Sequence, residues 1–259
     1  MTLMHDHDKG LAFDLPKLLS RRQALGVFAG GLTSAALAAC GGGGTTATKT
    51  TTADGIPEET AGPYPGDGSN GPNVLAESGV VRSDITRSFG DASGTATGVP
   101  TTVELTLLDI AKGGTPLAGA AVYLWHCDAA GRYSLYDQEI SGENYLRGVQ
   151  ESDANGKLTF KTIFPAAYSG RWPHIHFEVY PSLAEATKAG NPSATSQLAL
   201  PAEVCNAVYA TDGYSASARN MAQTSLASDN VFSDGAALET PTVTGSVAAG
   251  YTAELTIGV

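Results

Sequence analysis

"RWPHIHFEVY", residues 171–180, places two of the chain's five histidines two positions apart. Side chains alternate faces along a strand, so His174, His176 and Glu178 share one side and Ile175, Phe177 and Val179 the other. The second set reads as core. The first carries two imidazoles close enough to hold one metal ion, provided further ligands converge from elsewhere in the fold. Taken alone, the pair is equally well read as decoration on the wet face of a half-exposed strand.

The segments upstream decide between these readings. In "TIFPAAYSGRWPHIH" (162–176), Tyr168 lies between turns at Pro165 and Gly170, so a loop can bring its phenol back over the histidine face. In "YLWHCDAAGRYSLYD" (123–137), Tyr133 follows a glycine turn at the end of a buried strand. Phenolate oxygen is a hard anionic donor that suits a trivalent, Lewis-acidic iron, and two imidazoles add borderline nitrogen donors. Divalent iron in oxygenases more often takes two histidines and one carboxylate, so the tyrosines argue for Fe(III). His126 is near this site, but adjacent Trp125 and Cys127 occupy the other face of the same strand, and it reads as a satisfied structural histidine. Tyr123, Tyr136 and Tyr145 read as packing or rim residues, and Tyr64 as either a turn residue or a pocket wall.

Strand signals run through the rest of the chain: "TTVELTLLDI" (101–110), "AAVYLWHCD" (120–128), "GKLTFKTIF" (156–164) and "GYTAELTIGV" (250–259). Residues 153–156, "DANG", suit a tight hairpin connection. Helix is scarce, with weak candidates in "PSLAEATKAG" (181–190) and "SASARNMAQTSLAS" (215–228). The fold class expected is therefore all-β, a β-sandwich with immunoglobulin- or transthyretin-like layers, long loops and little helix.

Residues 1–40 read as an export signal. Arg21 and Arg22 resemble a twin-arginine signal, the apolar run over 25–39 is too short and too rich in small residues to span a bilayer, and "LAAC" ends in a lipobox-like Cys40. Residues 41–55, "GGGGTTATKTTTADG", read as a flexible tether, leaving 56–259 as one folded domain. An exported, lipid-anchored protein at the cell surface or in the periplasm is the expectation, touching the membrane only through that anchor. With Cys40 lipidated, Cys127 and Cys205 remain as a pair, and an oxidising compartment makes a disulfide between them the default. A net charge of −11 and the lack of any Lys/Arg cluster argue against a nucleic-acid partner.

The ordered set of motifs resembles the intradiol ring-cleavage dioxygenases, the family of catechol and protocatechuate dioxygenases. It comprises G-x-Y after a W-H strand, P-x-x-Y after a T-I strand, and R-x-x-H-I-H, with "ETAGPYP" (59–65) and "VRSDI" (81–85) before them. The resemblance implies that Tyr133, Tyr168, His174 and His176 ligate a mononuclear non-haem Fe(III), with Tyr168 the tyrosine that substrate displaces. It implies that Arg171 lies beside a bound catechol, and that Gln197 in "TSQLALP" (195–201) is a further active-site residue. The reaction implied is cleavage of a catechol-type diol by O2, between its hydroxylated carbons, to a cis,cis-muconate-type diacid. The loop between Tyr168 and His174 is shorter than in the cytoplasmic enzymes, as in an exported branch of the family. A helical dimer linker ahead of the sandwich is not evident either, which leaves the oligomeric state open. The rival expectation is a non-catalytic or differently metallated β-sandwich lipoprotein.

Overall fold

The computed structural model describes residues 54–259. The export signal, Cys40 and the tether up to residue 53 lie outside the described residues. The chain runs β1 (Pro100–Asp109), β2 (Thr115–Pro116), β3 (Ala121–Trp125), β4 (Arg147–Glu151), β5 (Lys157–Ile163), β6 (His174–Tyr180), α1 (Leu183–Ala186), β7 (Ala194–Ala199), α2 (Ala202–Tyr209), α3 (Ser217–Met221), β8 (Thr242–Ser246) and β9 (Gly250–Gly258). One sheet has the order β2-β1-β9-β8, with β5 also paired to β1; the other has the order β4-β3-β6-β7. The all-β sandwich expected from the strand pattern is the fold found.

Alternation explains the first sheet. Along β1, Thr101, Val103, Leu105 and Leu107 point into the core while Glu104 faces out, and on β5 Leu158, Phe160 and Thr162 point inward. The second sheet departs from alternation, since every residue of β3, β6 and β7 is buried. Ile175, Phe177 and Val179 join the common core, as the period of two requires. The opposite face, with His174, His176 and Glu178, is covered by loops instead of water. Neither face of β6 is wet, so the reading of its histidines as surface decoration fails.

Residues 153–156 do turn, with Gly156 N–H donating to Asp153 O at 2.9 Å and the Asp153 carboxylate capping the N–H groups of Asn155 and Lys157. They do not close a hairpin, however: β4 pairs with β3 and β5 with β1. The turn carries the chain from one sheet to the other. Of the helix candidates, the first becomes the single turn of α1, capped by Ser182, and the second becomes α3. The longer α2 was not signalled, because its buried residues Val204, Cys205, Val208 and Tyr209 stand beside polar and small ones with no N-cap side chain.

Cys127 and Cys205 are not bonded to each other, correcting the disulfide expectation. Both are buried thiols held by different segments, Cys127 Sγ donating to Ala166 O at 3.6 Å and Cys205 Sγ to Leu200 O at 3.8 Å. Burial pushes each thiol up to about 12, which keeps it protonated and poorly reactive.

His126 is a satisfied core histidine. Its Nδ1 donates to Cys127 O at 2.7 Å, which leaves Nε2 to accept from Thr162 Oγ1 at 2.6 Å. Burial pushes its pKa down to about 4, while an unfolded histidine titrates near 6.5. The neutral form is thus native, and its stabilisation is complete above pH 6.5 and is lost as pH falls toward 4. Urea unfolding at pH 7.5 and pH 4.5 should show wild-type protein losing about 2–3 kcal/mol more than His126→Asn across that interval. Equal losses in the two proteins would assign the acid sensitivity to other groups.

Candidate metal centre

The face of β6 that carries the histidines meets three segments. Strand β3 supplies Trp125, paired in register with His176 and stacked on its ring at 4.9 Å between centroids and 5° between planes. Tyr123 continues the stack behind Trp125 at 4.8 Å. Packed π faces hold the imidazole of His176 to one plane.

Beyond β3, the chain turns at residues 128–131. Asp128 Oδ1 accepts from the N–H groups of Ala130 and Arg132, and its other oxygen pairs with Arg132 Nη2 at 2.8 Å. Gly131 has φ +87°, and a Cβ there would sit 3.3 Å from Tyr168 Cβ. Glycine permits both the turn and the close approach of two tyrosine-bearing loops. Tyr133 leaves this turn to point at the histidines.

Four side chains converge. Tyr133 Oη lies 3.4 Å from Tyr168 Oη, Tyr168 Oη 3.0 Å from His174 Nε2, and His174 Nε2 3.1 Å from His176 Nε2. Donor atoms about 2.1 Å from a common ion stand roughly 3.0–3.4 Å from one another, so this spacing suits one metal. The protons fit as well. His174 Nδ1 donates to Trp172 O at 2.5 Å, which leaves the Nε2 lone pair of the neutral ring aimed into the cluster. His176 Nδ1 is buried with no hydrogen-bond partner.

Charge in this pocket is set by burial. Desolvation, and then the Arg171 charge, hold His174 well below the usual histidine range; for His176, desolvation acts first and the adjacent His174 second. Burial likewise raises Tyr133 well above the usual phenol range, and pushes Tyr168 up to about 12 against the lowering effect of Arg171. The protein alone therefore presents two neutral imidazoles and two phenols. A multivalent cation would reverse the balance for the phenols, since its charge stabilises phenolate at short range. No cluster of three or more His, Cys, Asp or Glu suited to a metal occurs among the described residues. The tyrosines are what complete this donor set.

The flanking residues line up around it. Gln197, on β7, pairs in register with His176 and is fully buried; its Oε1 accepts from Arg171 Nη2 at 2.7 Å and its Nε2 donates to Thr60 O at 2.8 Å. Gly62, φ +72°, passes so close that a Cβ would meet His176 Cε1 at 3.2 Å. Two residues on, the Tyr64 ring lies 5.0 Å from Tyr133 and 5.2 Å from Tyr136, which makes it a wall of the pocket. Phe232 lies 6.5 Å from the ring of His174, edge on.

Sequence reasoning missed Phe232 and two charged members of this shell. Arg147 is 1% exposed, and its guanidinium donates to Pro65 O, Tyr64 O, Ser134 O, Ser134 Oγ and Tyr123 Oη at 2.8–3.1 Å. It ties the 62–66 loop to the residue after Tyr133. Asp229, also missed, receives Arg171 Nε at 3.0 Å. Arg147 opens the stretch "RGVQESDANG" that leads into the tyrosine and histidine motifs, Asp229 stands near no motif, and no local spacing announces a contact across 58 or 83 positions.

A family model described as "Dioxygenase" matches residues 70–174. Catechol 1,2-dioxygenase 2 of Acinetobacter lwoffii is 39% identical over 56 residues, 22% of this chain and 20% of that protein. Chlorocatechol 1,2-dioxygenase of Pseudomonas sp. (strain P51) is 33% identical over 84 residues, 26% of this chain and 33% of its own length. The chain thus matches a fifth to a third of these curated relatives. In fold, it is similar to an intradiol ring-cleavage dioxygenase from Tetranychus urticae, with a TM-score of 0.62 at 23% identity, over 80% of this chain and 94% of that one. Two packed sheets, the ordered tyrosine and histidine motifs and the dioxygenase match over 70–174 agree: the chain is similar to the intradiol ring-cleavage dioxygenases and has their fold.

Proposed function

We propose that the protein is a mononuclear non-haem Fe(III) intradiol dioxygenase that cleaves catechol-type diols with O2 to cis,cis-muconate-type diacids. The observation that carries this reading is the contiguous cluster of Tyr133 Oη, Tyr168 Oη, His174 Nε2 and His176 Nε2. Both atoms of O2 enter the product, so one catechol and one O2 account for every atom of the diacid, and no external reductant is needed. Bound there, ferric iron would supply Lewis acidity that favours the diolate over the diol.

The chain's own residues supply the rest. Tyr168, the more exposed tyrosine of the pair, has an Oη that as phenolate takes a proton from the incoming diol and holds it as a neutral phenol. Arg171 sets a fixed positive charge beside the pocket and opposes negative charge that builds on the diol oxygens during ring opening. The backbone at Gly62 closes over His176 and the Tyr64 ring packs on Tyr133, which limits water there. The names of the curated relatives support a catechol or chlorocatechol as substrate. The twin-arginine-like signal and Cys40 support an exported, lipid-anchored location at the periplasm or cell surface.

Iron-loaded protein should be red-brown from tyrosinate-to-Fe(III) charge transfer, and catechol should shift the band and be consumed with O2 one to one. Colourless protein that takes up no iron and no oxygen would overturn the proposal. Tyr168→Phe should keep its iron, yet turn over about 100- to 1,000-fold more slowly, as expected for loss of a positioned base. At neutral pH the imidazoles are already unprotonated and the phenols are not, so loading the metal should release one proton fewer in that variant than in wild type.

A further inference from the structure

Arg171 has two buried partners, and one of them is unaccounted for by any motif. Asp229 is fully buried, on the segment between α3 and β8. Its Oδ2 accepts from Arg171 Nε at 3.0 Å and from the backbone N–H of Trp172 at 2.6 Å. Its Oδ1 accepts from the N–H groups of Val231 at 2.8 Å and Phe232 at 3.2 Å. All four contacts are donated to it, so both oxygens are acceptors and neither is spare.

On the far side of the guanidinium, Gln197 Oε1 accepts from Arg171 Nη2 at 2.7 Å, and Gln197 is itself anchored on Thr60 O. A planar group gripped at Nε by one partner and at Nη2 by another cannot rotate about its stem. Phe232, which Asp229 caps in place, lies 5.9 Å from Arg171 Cζ and also borders His174. The carboxylate therefore joins three parts of the pocket: the Arg171 fork, the Trp172 backbone that leads into β6, and the ring beside His174.

We propose that Asp229 is a positioning residue: it fixes the plane of the Arg171 guanidinium, and through it the direction of the charge presented to a bound diolate. The inference rests on the ring-cleavage reading of the site. Asp229 lies outside the matched residues 70–174, in a part of the chain that the family match does not reach. Orientation has an effect because Arg171 acts where charge develops, and a misplacement of about 1 Å there costs on the order of 100-fold.

Asp229→Asn tests this with little change of shape. An amide must aim its NH2 at one of two donor pairs, which breaks the pattern at Arg171 and Trp172 or at Val231 and Phe232. Expected are iron content equal to wild type, a fall of about 10- to 100-fold in kcat for catechol, and KM within about 3-fold. The absorption band of the iron-loaded protein with bound 4-nitrocatechol, a ring too electron-poor to turn over quickly, should also move relative to wild type. In an Arg171→Met background, Asp229→Asn should lower kcat by less than about 3-fold further, because the group it positions is gone.

An Asp229→Asn protein with wild-type kcat and an unshifted band overturns the proposal. So does an equal fall in both backgrounds, which would make the role one of loop packing alone. Should the variant fail to fold, Arg171→Lys decides. An ammonium cannot be held in a plane by Asp229 and Gln197, so it should lose activity as far as Arg171→Met does, and activity within about 3-fold of wild type would overturn the inference. Wild-type protein that neither holds iron nor cleaves catechol would bring down the functional reading and this inference together. Wild type that does both, beside an indistinguishable Asp229→Asn, would bring down the inference alone.

Discussion

On the proposed ferric reading of the site, His176→Ala is expected to leave the protein folded and unable to hold iron. The side chain provides one of four converging donors, so its removal leaves three and opens the space that the ring now fills between Trp125 and Gly62. Unlike Tyr168, the donor that a bound diol would displace, His176 would have to hold the metal throughout, so metal retention through gel filtration should drop to less than about a tenth of wild type. The red-brown colour and oxygen uptake with catechol should disappear with it, a loss of about 1,000-fold or more. Tyr133→Phe should behave alike, because Tyr133 is the more deeply buried phenol and supplies one of the two anionic donors. Metal analysis, the visible spectrum and circular dichroism on the same samples make the check. Full iron content and normal turnover in His176→Ala would remove the cluster from the chemistry.

Arg147→Met should give the largest loss of stability among single changes outside the cluster. Its guanidinium serves three carbonyls and two hydroxyls with no carboxylate among its hydrogen-bond partners, and all but the Tyr64 carbonyl are buried contacts. Methionine fills much of the volume but satisfies none of those acceptors. Several buried acceptors left bare cost about 3–5 kcal/mol together, which for a domain near 200 residues lowers Tm by roughly 10 °C. The loss should be accompanied by weaker iron retention, because Arg147 holds Tyr64 and Ser134 on either side of Tyr133. A melting curve unchanged within about 2 °C would mean that water reaches those acceptors freely.

Much of this was legible in residue order. Alternation in "TTVELTLLDI" and "GKLTFKTIF" placed β1 and β5, because those strands have one wet face and one dry one. The convergence of Tyr133, Tyr168, His174 and His176 was legible since each stands beside a turn or on a strand whose period fixes its direction. The fate of "DANG" was not, because a turn's chemistry sets its local shape and says nothing of which strand each arm will pair with. Strand β7 escaped notice as a strand although Gln197 on it did not, since "ATSQLA" is buried on both faces and shows no alternation. Asp229 and Arg147 act across the whole fold, and such contacts leave no mark in local spacing. The thiol pairing failed for a related reason: counting cysteines says how many are available, and only packing says which way each sulfur faces.

Strand β9 follows every other strand in the chain, yet it lies in the middle of its sheet, parallel to β1 and between β1 and β8. While the chain is being made, β1 can pair only with β2 and β5, and its other edge stays open until β9 arrives. Long-range parallel pairing of this kind folds slowly, and an open β edge in the interval invites association with other chains. Nascent protein lacking β9 should therefore be a substrate for holding chaperones, and that sheet is completed by the insertion of one strand into a gap already framed on one side.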